Sequence, residues 1–553
     1  MSETDREPRD RTAAIATPER GQPQSAKLAG PARLAGPASR WRRPGWLVVV
    51  VPAAVSFVVG GYQIGGPSLW RDEAYTKDAI GRSVSQIFAL LGHQDAVHGG
   101  YYLLMHVLVA AIGTSDVALR FPSLCAMVIA TAFTAAIGRR AAALVQDPDA
   151  AGRDGGHVPA LTGLLSGLVF ATAPYMTYYA QMARSYAIVT MFATISTYLL
   201  LRACPQGRRG WWLAYAVTVA LTGLFNLFGL LILVAHGVTL LLTKPRGRPG
   251  NGRRLGRVPL PWLAACAAAL IVLSPLLRLS YREQKQISWL ARPDASTIER
   301  LFYHFAGSKE LVVPVALLVL AGVAAGCIAD HWRPLNPAAI ALPWLVVPPF
   351  LLIAGSYVKP VYVERYVEFC LPALAILVAS GLVGLLRAGS RTPLGRLGLT
   401  WVPPAVVGLG IAVMLIGPQH AIRQSAARPD NLRLASAIVA AHEQPGDVVF
   451  YLPLNMHVLG TGYPAPFRRL RNIAQASPPL ASATLTGTEI TSPALLKSRF
   501  TDVRRVWVVT GASNYKFPAP GNAVDKEKLA LLAGMHIIHR WMAGEVMLTL
   551  YGP

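Results

Sequence analysis

Apolar runs of about 17 to 22 residues recur along the chain, with short polar segments between them. The first begins near Trp46 and predicts a span over roughly 45–63. Ten more are predicted at roughly 119–138, 160–174, 186–202, 211–226, 227–243, 259–277, 311–329, 338–355, 366–386 and 400–417. The division at "LFNLFG", between the fifth and sixth, is the least marked. The stretch "HGGYYLLMHVLVAAIGT" (98–114) is barely long enough to cross and carries His98 and His106. It reads as an interfacial helix within a long first loop, 64–118. From about 421 the pattern changes. "LRLASAIVAAHEQPGDVVFYLP" reads as an amphipathic helix, a Gly-Asp turn and an apolar strand, and "RRVWVVTG" and "EVMLTLYG" as further strands. The fold expected is an α-helical polytopic membrane protein with about eleven transmembrane helices over 45–420. A small extracytoplasmic α/β domain would follow over 421–553. Residues 1–44, rich in Arg, Pro, Ala and Gly, read as a disordered cytoplasmic tail. Behind that tail the first apolar run, without an Ala-x-Ala-like site, reads as a retained anchor rather than a signal peptide.

Composition agrees with the pattern. Of 553 residues, 53% are hydrophobic and only 14% charged, with mean hydropathy +0.40. Soluble domains carry about 25% charge. The net charge of +24 would suit a nucleic-acid partner, but its placement argues otherwise. Arg139, Arg140, Arg202, Arg208, Arg209, Lys244, Arg246, Arg387 and Arg391 fall in alternate short loops, as in cytoplasmic loops of membrane proteins. No nucleic-acid partner is expected. The N-terminus is placed in the cytoplasm, and an odd number of spans sends the C-terminal region outside the plasma membrane. Cys125, Cys204, Cys266, Cys327 and Cys370 form no CxxC pair and read as small apolar residues in or beside spans.

The loops opposite the arginine-rich ones carry a different set of polar groups. The first opens with "SLWRDEAYT" (Arg71, Asp72, Glu73) and continues through His93, Asp95, His98, Tyr102 and His106. Another is "APYMTYYAQMARSYA", with Gln181, Arg184 and Tyr186. A third contains Trp289, and a fourth, "SYVKPVYVERYVEF", has Lys359, Arg365 and Tyr366. Ionisable groups at membrane depth are costly and tend to face a wet cavity. If these loops converge, a carboxylate can take the proton of an attacking hydroxyl while cations hold a phosphate leaving group. Aromatic faces can pack on sugar rings or lipid, and a lipid-linked sugar phosphate keeps its tail in the bilayer. Plainer readings stand beside this. Asp72 and Glu73 also suit a solvated helix N-terminus. His98 and His106, two helical turns apart, are polar interfacial residues more readily than metal ligands. Arg184 and Arg365 also suit lipid headgroup contacts.

"WRDEAYT", "HGGYYLLMH", "ALRFPSL", "AQMARSYA", "QISWL" and "VERYVEFCLPA" occur in the order found in glycosyltransferase family 39-like membrane proteins. The chain resembles that family, of the GT-C superfamily, with the protein O-mannosyltransferases and lipid A aminoarabinose transferases. The resemblance implies inverting transfer from a polyprenyl-phosphate sugar to a lipid, glycan or protein hydroxyl outside the membrane. It implies Asp72 as catalytic base with Glu73 beside it. Arg184 and Arg365 would hold the donor phosphate, and Lys359 is grouped with them. Arg71, His98, Tyr102, His106, Gln181, Tyr186, Trp289 and Tyr366 would line the substrate cavity. Membrane lipids are partners, and no metal or cofactor is expected. Departures are visible: Gly99-Gly100 where many relatives have Pro-Pro, Met182 in place of an acid, and Asn226 within "FNL" for a frequent "THY". Mannose, arabinose and other sugars fit equally. Ala- and Arg-rich composition points to a high-GC bacterium such as an actinomycete, which tilts the choice to mannose by association. A polyprenyl-lipid or polysaccharide transporter and a non-catalytic cell-wall scaffold are the competing readings; the absence of an internal repeat disfavours the transporter.

Overall fold

A computed structural model describes residues 45–145, 157–242, 260–284, 290–329, 335–390, 392–511 and 522–553. The expected tail, 1–44, lies outside them. All eleven apolar runs are helical. They form Leu47–Gly61 (α1), Asp116–Val145, His157–Thr172, Tyr186–Gln206, Arg209–Phe225, Leu231–Leu242, Leu260–Arg282, Val312–Ala324, Pro337–Val358, Leu371–Gly389 and Val402–Met414. Among the described residues, six helices are long and apolar enough to cross a membrane. The number is seven if His157–Thr172 and Pro174–Ala180, bent by 62°, count as one span. Leu47–Gly61, Leu227–Leu242 and Val312–Cys327 are apolar but shorter. The chain is a multi-pass membrane protein, and the expected count of eleven crossings is not reached by length and composition.

Helix packing exploits missing side chains. A Cβ on Gly322 would meet Leu377 O at 2.2 Å, and one on Gly381 would meet Leu318 O at 2.2 Å. The two helices carrying them therefore approach backbone to backbone, as small residues allow within a membrane.

The first loop folds into three helices, Arg71–Ile80 (α2), Val84–Leu91 (α3) and Gly99–Ile112 (α4). Helix α4 has 14 residues, a rise of about 21 Å, short of the roughly 30 Å of hydrocarbon. Gly113 ends it with φ +83°, a conformation that favours glycine. Asp116–Val145 follows (α5).

Two acidic residues from different parts of the chain fix α2. Its first backbone N–H groups have no partner within the helix. Asp430 supplies one, accepting from Arg71 N at 3.0 Å, and also takes the Arg71 guanidinium at 2.8 and 2.7 Å. Glu73 faces the interior, where Arg120 of α5 grips both its oxygens at 2.9 and 2.8 Å. The remaining Arg120 bonds go to the carbonyls of Ile64, Pro67 and Ser68 at 3.0, 2.9 and 3.1 Å. Glu73 Oε1 also accepts from Ala183 N at 2.8 Å. Both side chains are fully buried.

The C-terminal region builds a four-stranded sheet in the order β1-β4-β6-β5. Its strands are Val448–Leu452 (β1), Val506–Gly511 (β4), His536–Ala543 (β5) and Val546–Gly552 (β6). Gln475–Ser477 (β2) and Thr488–Glu489 (β3) form a separate pair. β1 runs parallel to β4, and β6 antiparallel to β4 and β5. Strands β1, β4 and β6 match the apolar runs read from the sequence; β5, mostly exposed, did not announce itself. The helix Leu432–His442 packs on the sheet, and Asn431 caps it by accepting from Leu434 N. The region is stitched to the first loop. Arg433 donates to Gly65 O, Gly66 O and Asp116, and Tyr463 donates to Asp116 at 2.5 Å.

Removing one partner of a buried ion pair leaves an uncompensated charge, at about 3–5 kcal/mol. Arg120→Met should therefore lower the detergent-solubilised protein's thermal midpoint sharply. Glu73→Gln combined with Arg120→Met should recover much of that loss, as unfolding monitored by intrinsic fluorescence would record.

Candidate active site

The bend after Thr172 sends the chain through Pro174–Ala180 into the segment 181–185, which lies against α2. Thr76 Oγ1 donates to Ala183 O at 3.1 Å, and Ser123 Oγ to Met182 O at 2.7 Å. This stitching delivers Arg184 beneath the first turn of α2. One Arg184 nitrogen reaches Asp72 O at 3.3 Å, and the other reaches His98 Nε2 at 2.7 Å. From a third segment, Arg365 brings Nη2 to 3.9 Å from Asp72 Oδ2. Its guanidinium lies 5.8 Å from the Trp70 ring and 5.7 Å from that of Tyr366. Tyr366 in turn stacks on Phe228, centroids 4.9 Å apart. Arg184 is buried; Asp72 and Arg365 keep 15% and 21% of their side chains open, so solvent reaches the cluster beside them.

Hydrogen bonding around Asp72 is incomplete. Trp70 Nε1, Asp72 Oδ2, His98 Nδ1, Arg184 Nε and Arg365 Nε are buried and make no hydrogen bond among the described residues. Native buried polar atoms nearly always find a partner, so one Asp72 oxygen and four nitrogens on residues packed about Asp72, Arg184 and Arg365 mark a place for a ligand. Their chemistry can be read further. A guanidinium only donates, so His98 Nε2 must accept and the proton sits on Nδ1. Burial first, then the Arg184 and Arg365 charges, hold the His98 imidazole neutral by pushing its pKa well below 6.5. The site thus offers four N–H donors and one carboxylate oxygen. For Arg184, burial works against the charge, but Asp72, Tyr102, Tyr186 and Asp95 together outweigh it and the net pKa rises. Burial opposes the Arg365 charge too; Tyr186 and Asp72 raise it overall. Behind His98, Tyr102 donates to Asp95 at 2.8 Å, and burial pushes the Asp95 carboxyl up. Tyr186 is buried edge-on against Tyr179, 5.7 Å between centroids.

Several expected site residues are otherwise engaged. Glu73 is held off the cluster by Arg120, because the next residue on a helix points about 100° away from Asp72. Arg71 turns to Asp430 instead of lining a cavity. Gln181 ties the segment to the end of α1, donating to Gly60 O and Tyr62 O at 2.9 Å each. His106 Nδ1 pairs with Ile80 O at 3.0 Å, at the C-terminal end of α2. Lys359 is bonded to Gln284, and no contact among the described residues joins it to Asp72, Arg184 or Arg365. Trp289 lies outside the described residues. Sequence reasoning passed over Arg120, Asp430 and Arg428. Arg428 lies 3.7 Å from the Tyr178 ring and donates to Gln181 O at 2.9 Å. An arginine inside the apolar run of α5 was the signal available for the first. Among the described residues, no group of three or more His, Cys, Asp or Glu could hold a metal ion.

Comparison with known proteins bears on this arrangement. The fold is similar to that of solved structures at low sequence identity. The crystal structure of apo ArnT from Cupriavidus metallidurans superposes with a TM-score of 0.51 at 14% identity, covering 91% of this chain and 97% of that one. ArnT bound to undecaprenyl phosphate, from the same organism, gives 0.49 at 15% identity, with 92% and 98% covered. The Archaeoglobus fulgidus oligosaccharyltransferase gives 0.47 at 9% identity, with 84% and 68% covered. Residues 158–278 match the family model described as dolichyl-phosphate-mannose-protein mannosyltransferase. No curated protein matches the sequence.

The His98 pKa gives a test with a definite sign. A histidine depressed in the folded state is neutral there while the unfolded chain already binds a proton below about 6.5. Stability is therefore present above that pH and falls as pH drops through it. His98→Gln removes one titrating group, so its melting temperature should decline less steeply than the parent's between pH 7 and 5. Parallel curves would refute a neutral buried His98.

Proposed function

We propose that this protein is a glycosyltransferase. It would transfer a sugar from a polyprenyl-phosphate carrier to a hydroxyl acceptor on the extracytoplasmic side of the membrane, with inversion. The observation that carries the reading is the set of unpartnered atoms around Asp72. Its four N–H donors, two on guanidinium groups, suit the oxygens of a phosphate. Its single carboxylate oxygen suits a hydroxyl proton. In the step proposed, the acceptor oxygen attacks the anomeric carbon while Asp72 takes its proton. The bond from that carbon to the phosphate oxygen breaks, and polyprenyl phosphate leaves with the electron pair. Arg184 and Arg365 meet the charge that develops on it, with His98 and Trp70 as neutral donors. The step draws the phosphate's counter-charge from arginine and calls on no metal.

Other features support this reading. The matched family description names a lipid-phosphate-linked sugar, mannose, which also tilts the choice of sugar. The placement of arginine-rich loops supports a cytoplasmic N-terminus, with the Asp72 cluster and the C-terminal sheet outside. Glu73 acts as a positioning residue through Arg120, and Arg71 through Asp430. Lipid, glycan and protein hydroxyls are all chemically suited to accept.

Membranes incubated with a panel of radiolabelled polyprenyl-phosphate sugars should transfer one label to an acceptor. Asp72→Asn should reduce that transfer by about 10²–10⁴-fold, the usual worth of a general base, while membrane insertion stays normal. Undiminished transfer in Asp72→Asn would overturn Asp72 as the base, and no transfer of any label by the parent chain would favour a scaffold instead.

A further inference from the structure

A second cavity lies on the other side of α2. It holds about 590 Å³, within the roughly 300–1,000 Å³ of small-molecule sites. Lys77, Asp78, Gly81 and Arg82 form one wall, and Tyr451, His457, Phe467, Arg468 and Asn472 of the C-terminal region form much of the other. Lys77 and Gly81 lie about 140° and 180° round the helix from Asp72, so this is not the cluster already described.

The lining has three properties. First, it is positive: Asp78 is matched by Arg82 at 2.7 Å, which leaves Lys77 and Arg468. Lys77 Nζ spends one donor on Gly462 O at 2.9 Å, and the exposed Arg468 guanidinium has no hydrogen bond or ion pair among the described residues. Second, it holds buried polar atoms of mixed character without hydrogen-bond partners among the described residues: Arg82 Nε as donor, Asn472 Oδ1 as acceptor, and His457 Nδ1. Third, it presents aromatic rings, Tyr451 and Phe467, with His457 edge-on to Tyr451 at 4.9 Å. Mixed donors and acceptors suit the hydroxyls of a saccharide, rings suit its apolar faces, and unpaired cations suit an acidic substituent. A lipid tail would leave the polar atoms unsatisfied, and a neutral glycan would leave the cations idle.

We propose that this cavity binds an acidic saccharide, its charge carried by carboxylate or phosphate, at a site distinct from the Asp72 cluster. Helix α2 is then a shared wall. Binding is read without turnover, so the proposal does not stand or fall with the transfer reaction.

The test is calorimetric titration of the full chain in detergent with three probes: tetragalacturonate, a mannotetraose phosphorylated at its terminal residue, and plain mannotetraose. At least one acidic probe should bind about tenfold or more tightly than the neutral one. Comparison of the first two identifies the charge source. Two variants locate the site. Arg468→Glu changes an exposed side chain and should weaken acidic binding by about tenfold or more. Gly81→Trp should block it, and φ −74° with no neighbour nearer than 3.5 Å to a Cβ leaves the backbone undisturbed. Asp72→Asn should bind as the parent does. Equal binding of neutral and acidic probes, no binding of any, or unaltered binding in both cavity variants overturns the proposal.

Discussion

The buried Arg120–Glu73 pair is the constraint on which the site depends. Arginine has five N–H donors, and Arg120 makes five bonds: two to Glu73 and one each to the carbonyls of Ile64, Pro67 and Ser68. Those acceptors come from the stretch between α1 and α2 and from α2 itself, and Glu73 passes the connection on to Ala183. A single guanidinium thus ties three segments together, alongside bonds such as Thr76 to Ala183 and Gln181 to Gly60. Its net contribution to stability is small, because desolvation opposes attraction. Its contribution to geometry is large, because any displacement leaves a charge unmatched in a dry interior. This accounts for adjacent acids at the head of α2: one is used as an anchor so that its neighbour, a third of a turn away, can stay unpaired by hydrogen bonds.

Having fixed Asp72, the fold withholds partners from the atoms around it. Arg184 contributes a charge already held in place by the Asp72 carbonyl and His98. Arg365 comes from a different loop and is braced by the Trp70 and Tyr366 rings. Donors fixed before a ligand arrives do not have to reorganise when charge develops. His98 must be neutral to accept from Arg184, and that same requirement places its remaining proton on the unpartnered nitrogen. Asp95 and Tyr102 stand behind it and keep the loop closed.

The sequence disclosed the apolar helices, but not how many of them cross, because apolar periodicity is local. It singled out Asp72, Arg184 and Arg365, which the structure brings together, because charged residues beside apolar runs are conspicuous. It misled at Glu73, Arg71, Gln181 and His106 for a physical reason: polar side chains in loops also satisfy backbone groups and buried charges. Their partners lie between 26 and 359 residues away, as His106 with Ile80 and Arg71 with Asp430 show. No spacing rule reports such distances. Strand β5 was missed because its exposed, His- and Arg-bearing face lacks the apolar run that marked β1, β4 and β6. Lys359 looked like a phosphate ligand by residue type and is instead bonded to Gln284.

The C-terminal region is part of the same mechanical unit. Asp430 caps α2 at the residue before Asp72, and Arg428 holds the Gln181 carbonyl three residues before Arg184. The two sides of the Asp72 cluster are therefore each tied to one short segment, 428–430, that leads directly into the helix Leu432–His442 of the C-terminal sheet. A shift of the sheet would pull on the carboxylate through one tie and on the guanidinium through the other. Helix α2, ten residues long, meets the Asp72 cluster at its start and the wall of the acidic-saccharide cavity at its end. That element is about 15 Å in length.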